Sequence, residues 1–348
     1  MLSKKWILRK GTKASGFRFV GPNGQALRSA ADLDRIDKLR IPPAWRDVHV
    51  AANPRAAIQV WGFDARGRKQ YRYHRRAVEK GELRKHYRVR QMARDLPILR
   101  ARIDSDFRRN DLSRERVCAG IVRIISDTFF RVGSDRYERE NNTFGITTLR
   151  KSHVKVDGAR VRFDYPGKRG LRQHRTIVSR RIARFIVELL STPGARLFRY
   201  ERDGEWCNVD ARDVNNYLES LTDFPYTAKD FRTWGGTLRA ATVLAELGPE
   251  KNPRVRNKNV VTTVRLVAAE LGNTPAICRK SYVHPVVIAR YLKSGATIDL
   301  PMRRSVSLAD PSKRHIAHTP EERALIRFLD VYFPERRHRR RLPGEEAA

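Results

Sequence analysis

The sequence predicts an α+β protein: a small N-terminal antiparallel β-sheet domain, then a mainly α-helical domain carrying a three-stranded β insertion. Three observations predict it. Over the first 80 residues apolar and polar residues alternate between turn signals. From about residue 81 the apolar period becomes helical, with cap residues ahead of several segments. Between 153 and 176 the alternation returns once. A chain of 348 residues has room for two domains, read here as 1–80 and 81–335, followed by a basic tail over 336–348 that is expected to be disordered.

In chain order, Phe17 and Phe19 alternate ahead of the turn Pro22-Asn23-Gly24, and a short helix over 33–39 is stopped by Pro42-Pro43. Val48 and Val50 mark a strand, and Ile58, Val60 and the 61–63 stretch mark another. The latter turns at Asp64-Ala65-Arg66-Gly67 into an arm over 69–73. Helical spacing of Val117, Ile121, Ile124, Ile125 and Thr128 predicts a helix over 116–131 with Gly133 as its stop. The insertion reads as strands over 153–156, 160–165 and 171–176, joined by Asp157-Gly158 and by the turn 166–170. Ser179 caps a helix over 180–190, Asp210 caps one over 211–221, and Thr227 precedes a long one ending at Leu247. The stretch 248–259 reads as a basic loop, and 260–271, 285–292 and 321–332 as helices. No repeat recurs at a fixed period.

Composition narrows the partner. Lys and Arg number 73 against 38 Asp and Glu, a formal charge of +35. Such a chain repels itself unless a polyanion is near, so nucleic acid is the leading partner. Charge alone does not separate an enzyme acting on DNA from a ribosome- or nucleoid-coating protein. Cys118, Cys207 and Cys278 are scattered and odd in number, which fits neither a disulfide framework nor a metal site and points to a reducing cytosol. No apolar signal core and no run of 18 apolar residues occurs, so neither secretion nor a membrane span is expected.

Several islands carry chemistry. They are Ile41-Pro42-Pro43-Ala44-Trp45 with Gly67-Arg68-Lys69-Gln70-Tyr71-Arg72-Tyr73, and Phe130-Arg131-Val132-Gly133 with Tyr137, Glu140-Asn141 and Gly145-Ile146-Thr147-Thr148-Leu149. Then come Gly167-Lys168, Lys229-Asp230-Phe231-Arg232-Thr233-Trp234-Gly235, and Leu271-Gly272-Asn273-Thr274-Pro275 with Ser281-Tyr282. In this order, over roughly residues 40–290, the set resembles the small type IB DNA topoisomerases of poxviruses and bacteria. Any one island is weak evidence; the ordered set is strong.

The resemblance implies a chemistry the residue types suit. Arg131 and Arg232 become a phosphate clamp, since a planar, permanently charged guanidinium can engage two phosphoryl oxygens. For an arbitrary arginine among 73 basic residues, a solvated surface role would be the ordinary reading. Lys168 matches the general acid that protonates the departing 5′ oxygen, although a hairpin-tip lysine is otherwise unremarkable. Tyr282 matches the nucleophile, leaving the enzyme on the 3′ end, so that resealing needs neither ATP nor metal. Asn273 stands where many members carry histidine; it can donate a neutral hydrogen bond but cannot carry charge. Its ordinary alternative is a helix N-cap, unless Thr274 takes that place. Arg68, Lys69, Gln70, Tyr71, Tyr73, Tyr137 and Lys229 match DNA-contacting positions, with Tyr71 and Tyr73 on one strand face.

The expected partner is therefore double-stranded DNA, held by two basic domains closing as a clamp. No cofactor or metal, no membrane, a monomer and a cytoplasmic, nucleoid-associated setting are expected. Tyrosine recombinases share the catalytic fold but usually read His-x-x-Arg where this chain has Lys229-x-x-Arg232, and they lack the N-terminal islands. A non-catalytic DNA packager is the other alternative.

Overall fold

The computed structural model describes residues 6–300 and 316–334, and the chain divides into two compact units, Met1–Lys85 and His86–Ala348. The first unit holds β1 (Trp6–Thr12), β2 (Gly16–Val20), α1 (Ala30–Lys38), β3 (Arg46–Ala51), β4 (Ile58–Phe63) and β5 (Lys69–Tyr73). Its strands form one antiparallel sheet in the order β2-β1-β3-β4-β5. Val50 lies opposite both Ile7 and Val60, and all three are buried with Ile36 of α1. Residues one step along point to the other face, where His49 stacks on Trp61 at 3.8 Å and Trp6 meets Trp61 edge-on at 6.1 Å. Strand β1 was not expected. Trp6, Ile7 and Leu8 are all apolar, so the two-residue period that marks a half-buried strand is absent from its start.

The helical part begins at α2 (Arg75–Phe107), six residues before the expected change at 81, and runs through Pro97. Proline has no N–H to give the carbonyl four residues back, here Ala93, and His318 Nε2 hydrogen-bonds to that oxygen at 2.6 Å instead. α3 (Arg114–Thr128) stops short of the expected 131. Phe129 adopts the left-handed conformation at φ 58° and its N–H closes on Ile125 O, so Arg131 lies outside the helix. α4 (Asp135–Asn141) follows.

The β insertion is β6 (Val154–Asp157), β7 (Arg160–Pro166) and β8 (Arg172–Val178), antiparallel in that order, the last strand shifted slightly from 171–176. α5 (Arg180–Ser191) and α6 (Ala211–Ser220) start at Ser179 and Asp210 as expected, each cap accepting a backbone N–H. Between them lies a short hairpin, β9 (Arg199–Arg202) and β10 (Glu205–Asn208), which was not anticipated. α7 (Ala228–Leu247) starts after Thr227.

The expected loop over 248–259 is corrected: α8 (Pro253–Leu271) already begins there, with Asn252 Oδ1 accepting from Arg254 N at 2.9 Å. Proline at the first helical position favours that start, but the following turns are nearly all exposed and polar, so no apolar period announced them. α9 (Pro275–Ser281), α10 (Pro285–Ser294) and α11 (Pro320–Tyr332) complete the described chain. α11 buries Leu325 and Leu329 in the main core, and its Glu322, 3% exposed, pairs with Arg100 at 2.6 Å. No described helix is long and apolar enough to cross a membrane. The basic tail over 336–348 lies outside the described residues.

Candidate active site

Three side chains of the second unit, those of Arg131, Arg232 and Asn273, gather beside Tyr282. Arg232 comes from the first turns of α7. There Asp230 accepts from the N–H and hydroxyl of Thr227 at 2.9 and 2.8 Å, closing a capping box, and pairs with Arg88 at 2.9 Å. With that turn fixed, Arg232 points inward, 3% exposed, and its Nη2 donates to Leu271 O at 3.0 Å. Its Nε is buried with no hydrogen-bond partner among the described residues, and its guanidinium carbon lies 5.2 Å from the Tyr282 ring centroid. Burial lowers the Arg232 pKa to about 10, against an opposing pull from Tyr282, so the group stays cationic at neutral pH.

Arg131 sits on an irregular strap. Its carbonyl accepts from Ile146 N and the next, Val132 O, accepts from Thr147 N, both at 2.8 Å. Gly133 makes the strap possible: at φ 101° it lies so close to Gly145 that a methyl group there would come 3.0 Å from Gly145 Cα. From this strap Arg131 Nη2 donates to Gly272 O and to Asn273 Oδ1, each at 2.5 Å. Burial lowers its pKa as well.

Asn273 follows the left-handed Gly272 (φ 61°) at the end of α8, its N–H bonded to Ala268 O at 2.8 Å. The cap of α9 is Thr274, whose hydroxyl accepts from Ile277 N at 3.4 Å. Asn273 is thus not used as a cap; its oxygen engages Arg131 and its buried Nδ2 has no hydrogen-bond partner among the described residues. Tyr282 ends α9, half-buried, with its N–H on Cys278 O at 2.9 Å. Its backbone is seated on α7: Thr237 Oγ1 lies 3.3 Å from Tyr282 O and accepts from His284 N at 3.1 Å. A methyl on Gly236 would come 2.8 Å from the same Tyr282 oxygen.

Lys168 stands apart from these contacts. It is exposed in the turn between β7 and β8, where Arg169 and Gly170 have φ of 66° and 74°. Three neighbours were missed by sequence reasoning. Arg175 Nη2 donates to Glu270 O at 2.8 Å and to Gln173 Oε1 at 3.3 Å. Tyr165, buried opposite Gln173, has its phenol pKa raised by burial, while Arg175, Arg131 and Arg232 pull the other way. The signal was present in part: along β8, Gln173, Arg175 and Ile177 alternate with more exposed residues and share the face of Tyr165.

The remaining candidates are surface groups. In the first unit Tyr71 and Tyr73 share a face, 41% and 51% exposed, with rings 5.9 Å apart, so neither is a core residue. Lys69 Nζ lies 4.0 Å from the Trp61 ring centre. Arg68 and Gln70 both engage Asp64, at 2.7 and 2.9 Å; the Arg68 hydrogen bond is the largest cause of an Asp64 pKa lowered to about 2. In the second unit Tyr137 on α4 and Lys229 on α7 are exposed. Among the described residues no three His, Cys, Asp or Glu side chains gather as a metal site would require.

The catalytic core of eukaryotic DNA topoisomerase I, as a family model, matches residues 72–300 of this chain, and the N-terminal domain of bacterial DNA topoisomerase IB matches residues 16–64. DNA topoisomerase 1B of Acanthamoeba polyphaga mimivirus is 34% identical over 268 residues, 75% of this chain and 80% of that protein. DNA topoisomerase 1B of vaccinia virus (strain Copenhagen) is 21% identical over 65% of this chain and 70% of its own length. With its catalytic-core match spanning the Arg131, Arg232, Asn273 and Tyr282 cluster, the chain belongs to the type IB DNA topoisomerases.

Proposed function

We propose that this chain relaxes supercoiled DNA by transient cleavage of one strand, using Tyr282 as the nucleophile and needing neither ATP nor metal. The observation that carries the reading is the convergence of Arg131, Arg232 and Asn273 on Tyr282. Two desolvated guanidiniums with depressed pKa values have no carboxylate partner among the described residues, and a phosphodiester entering between them and the phenol supplies an anion. The Tyr282 oxygen attacks phosphorus and loses its proton to solvent. The bond to the 5′ oxygen breaks, that oxygen takes a proton from Lys168, and the 3′ phosphate stays on the tyrosine. Rotation of the freed strand releases supercoils, and the reverse attack reseals it.

In this reading Asn273 positions the phosphate without adding charge: its oxygen is held by Arg131, which leaves the amide N–H groups for a non-bridging oxygen. Arg68, Lys69, Gln70, Tyr71, Tyr73, Tyr137 and Lys229 contact DNA, most of the grip falling on phosphates. The enzyme works as a cytoplasmic monomer on nucleoid DNA. The test is plasmid relaxation in EDTA without ATP, by the parent and by Tyr282→Phe. Relaxation by the parent alone is expected; supercoils left intact by the parent, with the DNA merely shifted on a gel, would support a packaging protein instead.

A further inference from the structure

We infer that Gln173 is a positioning residue that couples the Lys168 turn to the Tyr282 pocket. The inference rests on the reading of Lys168 as general acid. Lys168 occupies an exposed turn, so some other group must fix where that turn stands relative to Arg131 and Asn273.

Gln173 lies against both. At the turn's base, a methyl on Gly167 would come 2.6 Å from Gln173 Cγ. At the pocket, a methyl on Gly272 would come 2.8 Å from Gln173 Oε1 and 3.5 Å from Arg131 Nη1. Two glycines, one against its Cγ and one against its Oε1, therefore give the side chain its seat. Gly272 is also the residue whose carbonyl accepts from Arg131 and whose successor is Asn273.

Polar contacts hold the side chain in that seat. Gln173 Oε1 accepts from Arg175 Nη2 at 3.3 Å, and the same Nη2 donates to Glu270 O at 2.8 Å, which ties β8 to the last turn of α8. Gln173 Nε2 donates to Leu171 O and Arg172 O, both at 3.3 Å, on the strand side of the turn. The turn itself is closed by Gly167 N on Leu171 O and Gly170 N on Gly167 O, each at 2.9 Å, so a shift at Gly167 carries Lys168 with it. Gln173 reaches no reacting atom itself; it acts through where it holds Gly167.

The leaving group supplies the test. A sulfur in place of the bridging 5′ oxygen departs without protonation, so a defect that acts through the general acid disappears on that substrate. A defect in the phosphate clamp or the nucleophile remains. After a preferred cleavage site is mapped on plasmid DNA, single-turnover cleavage is measured on matched duplexes with a 5′-oxygen or 5′-sulfur link there, for the full-length parent, Lys168→Ala and Gln173→Ala.

On the oxygen substrate Lys168→Ala is expected to lose about 10²- to 10⁴-fold and Gln173→Ala about 10- to 100-fold. On the sulfur substrate both should return to within about threefold of the parent, as expected once no general acid is needed. Equal loss by Gln173→Ala on both substrates, or no loss on oxygen, overturns the inference. If Lys168→Ala is itself not rescued by sulfur, the general-acid reading falls and takes this inference with it. Gln173→Met, which keeps the side chain's length against Gly167, replaces the alanine variant if that variant does not fold. The same oxygen-specific loss, smaller in size, is expected of it.

Discussion

At the scale of single residues, the pocket is built around groups that are incompletely satisfied without substrate. Among the described residues Arg232 Nε and Asn273 Nδ2 are buried without hydrogen-bond partners, an arrangement that costs stability unless a ligand completes it. Asn273 makes a sharp case. Its oxygen accepts from Arg131, and in the proposed reaction its nitrogen donates to phosphate. A neutral histidine can do both, one ring nitrogen accepting and the other donating, so Asn273→His should retain relaxation activity. Asn273→Asp keeps the acceptor for Arg131 but replaces the donor with a second anion facing the phosphate. Cleavage by that variant should fall by about 10²- to 10³-fold, the size of losing one preorganised donor. Single-turnover cleavage of both variants checks this; an inactive histidine variant or an active aspartate variant would sink the positioning role.

At the scale of elements, α2 shows a helix whose continuity depends on a distant residue. Pro97 leaves Ala93 O without its helical partner, and His318, just ahead of α11, donates to it at 2.6 Å. His318→Ala should therefore cost about 1–3 kcal/mol, the penalty for an unsatisfied buried carbonyl. Pro97→Ala should recover most of that loss, because the restored N–H reaches the same oxygen. Urea melts of the two single variants and the double variant test the coupling, and strictly additive effects would disprove it. The sequence made some elements plain and hid others for physical reasons. The caps at Ser179 and Asp210 and the helix start after Thr227 are local devices and were legible, as was the Asp157-Gly158 hairpin, while the choice of cap between Asn273 and Thr274 stayed open. The first turns of α8 are solvated on nearly every side, and β1 starts apolar on both faces, so neither showed a period. Pro97 reads as a breaker until His318 is seen beside Ala93, a contact 225 residues apart in sequence.

At the scale of the molecule, charge is the property composition showed most directly, while the pocket was readable only through the ordered islands. Gln173 faces Gly272 and Arg175 reaches Glu270 O, and no spacing rule encodes either contact. The charge carries its own prediction. If all 38 acidic residues were paired with bases, 35 cations would still be left over, so affinity for DNA should rest mainly on phosphate contacts and counterion release. With roughly 6–10 phosphates engaged, binding should weaken about 10³- to 10⁵-fold between 50 and 200 mM salt. The dependence should be the same for Tyr282→Phe, since the phenol neutralises no phosphate. Lys229→Ala, if that lysine meets a phosphate, should flatten the log–log slope by about one. Gel-shift or anisotropy titrations across salt decide it: a shallow slope for the parent, or a slope changed by Tyr282→Phe, would mean that the grip comes from base or stacking contacts. Relaxation should follow the same physics. At low salt the enzyme stays on one plasmid until it is relaxed; at higher salt it leaves between cycles, so partly relaxed topoisomers accumulate across the whole population.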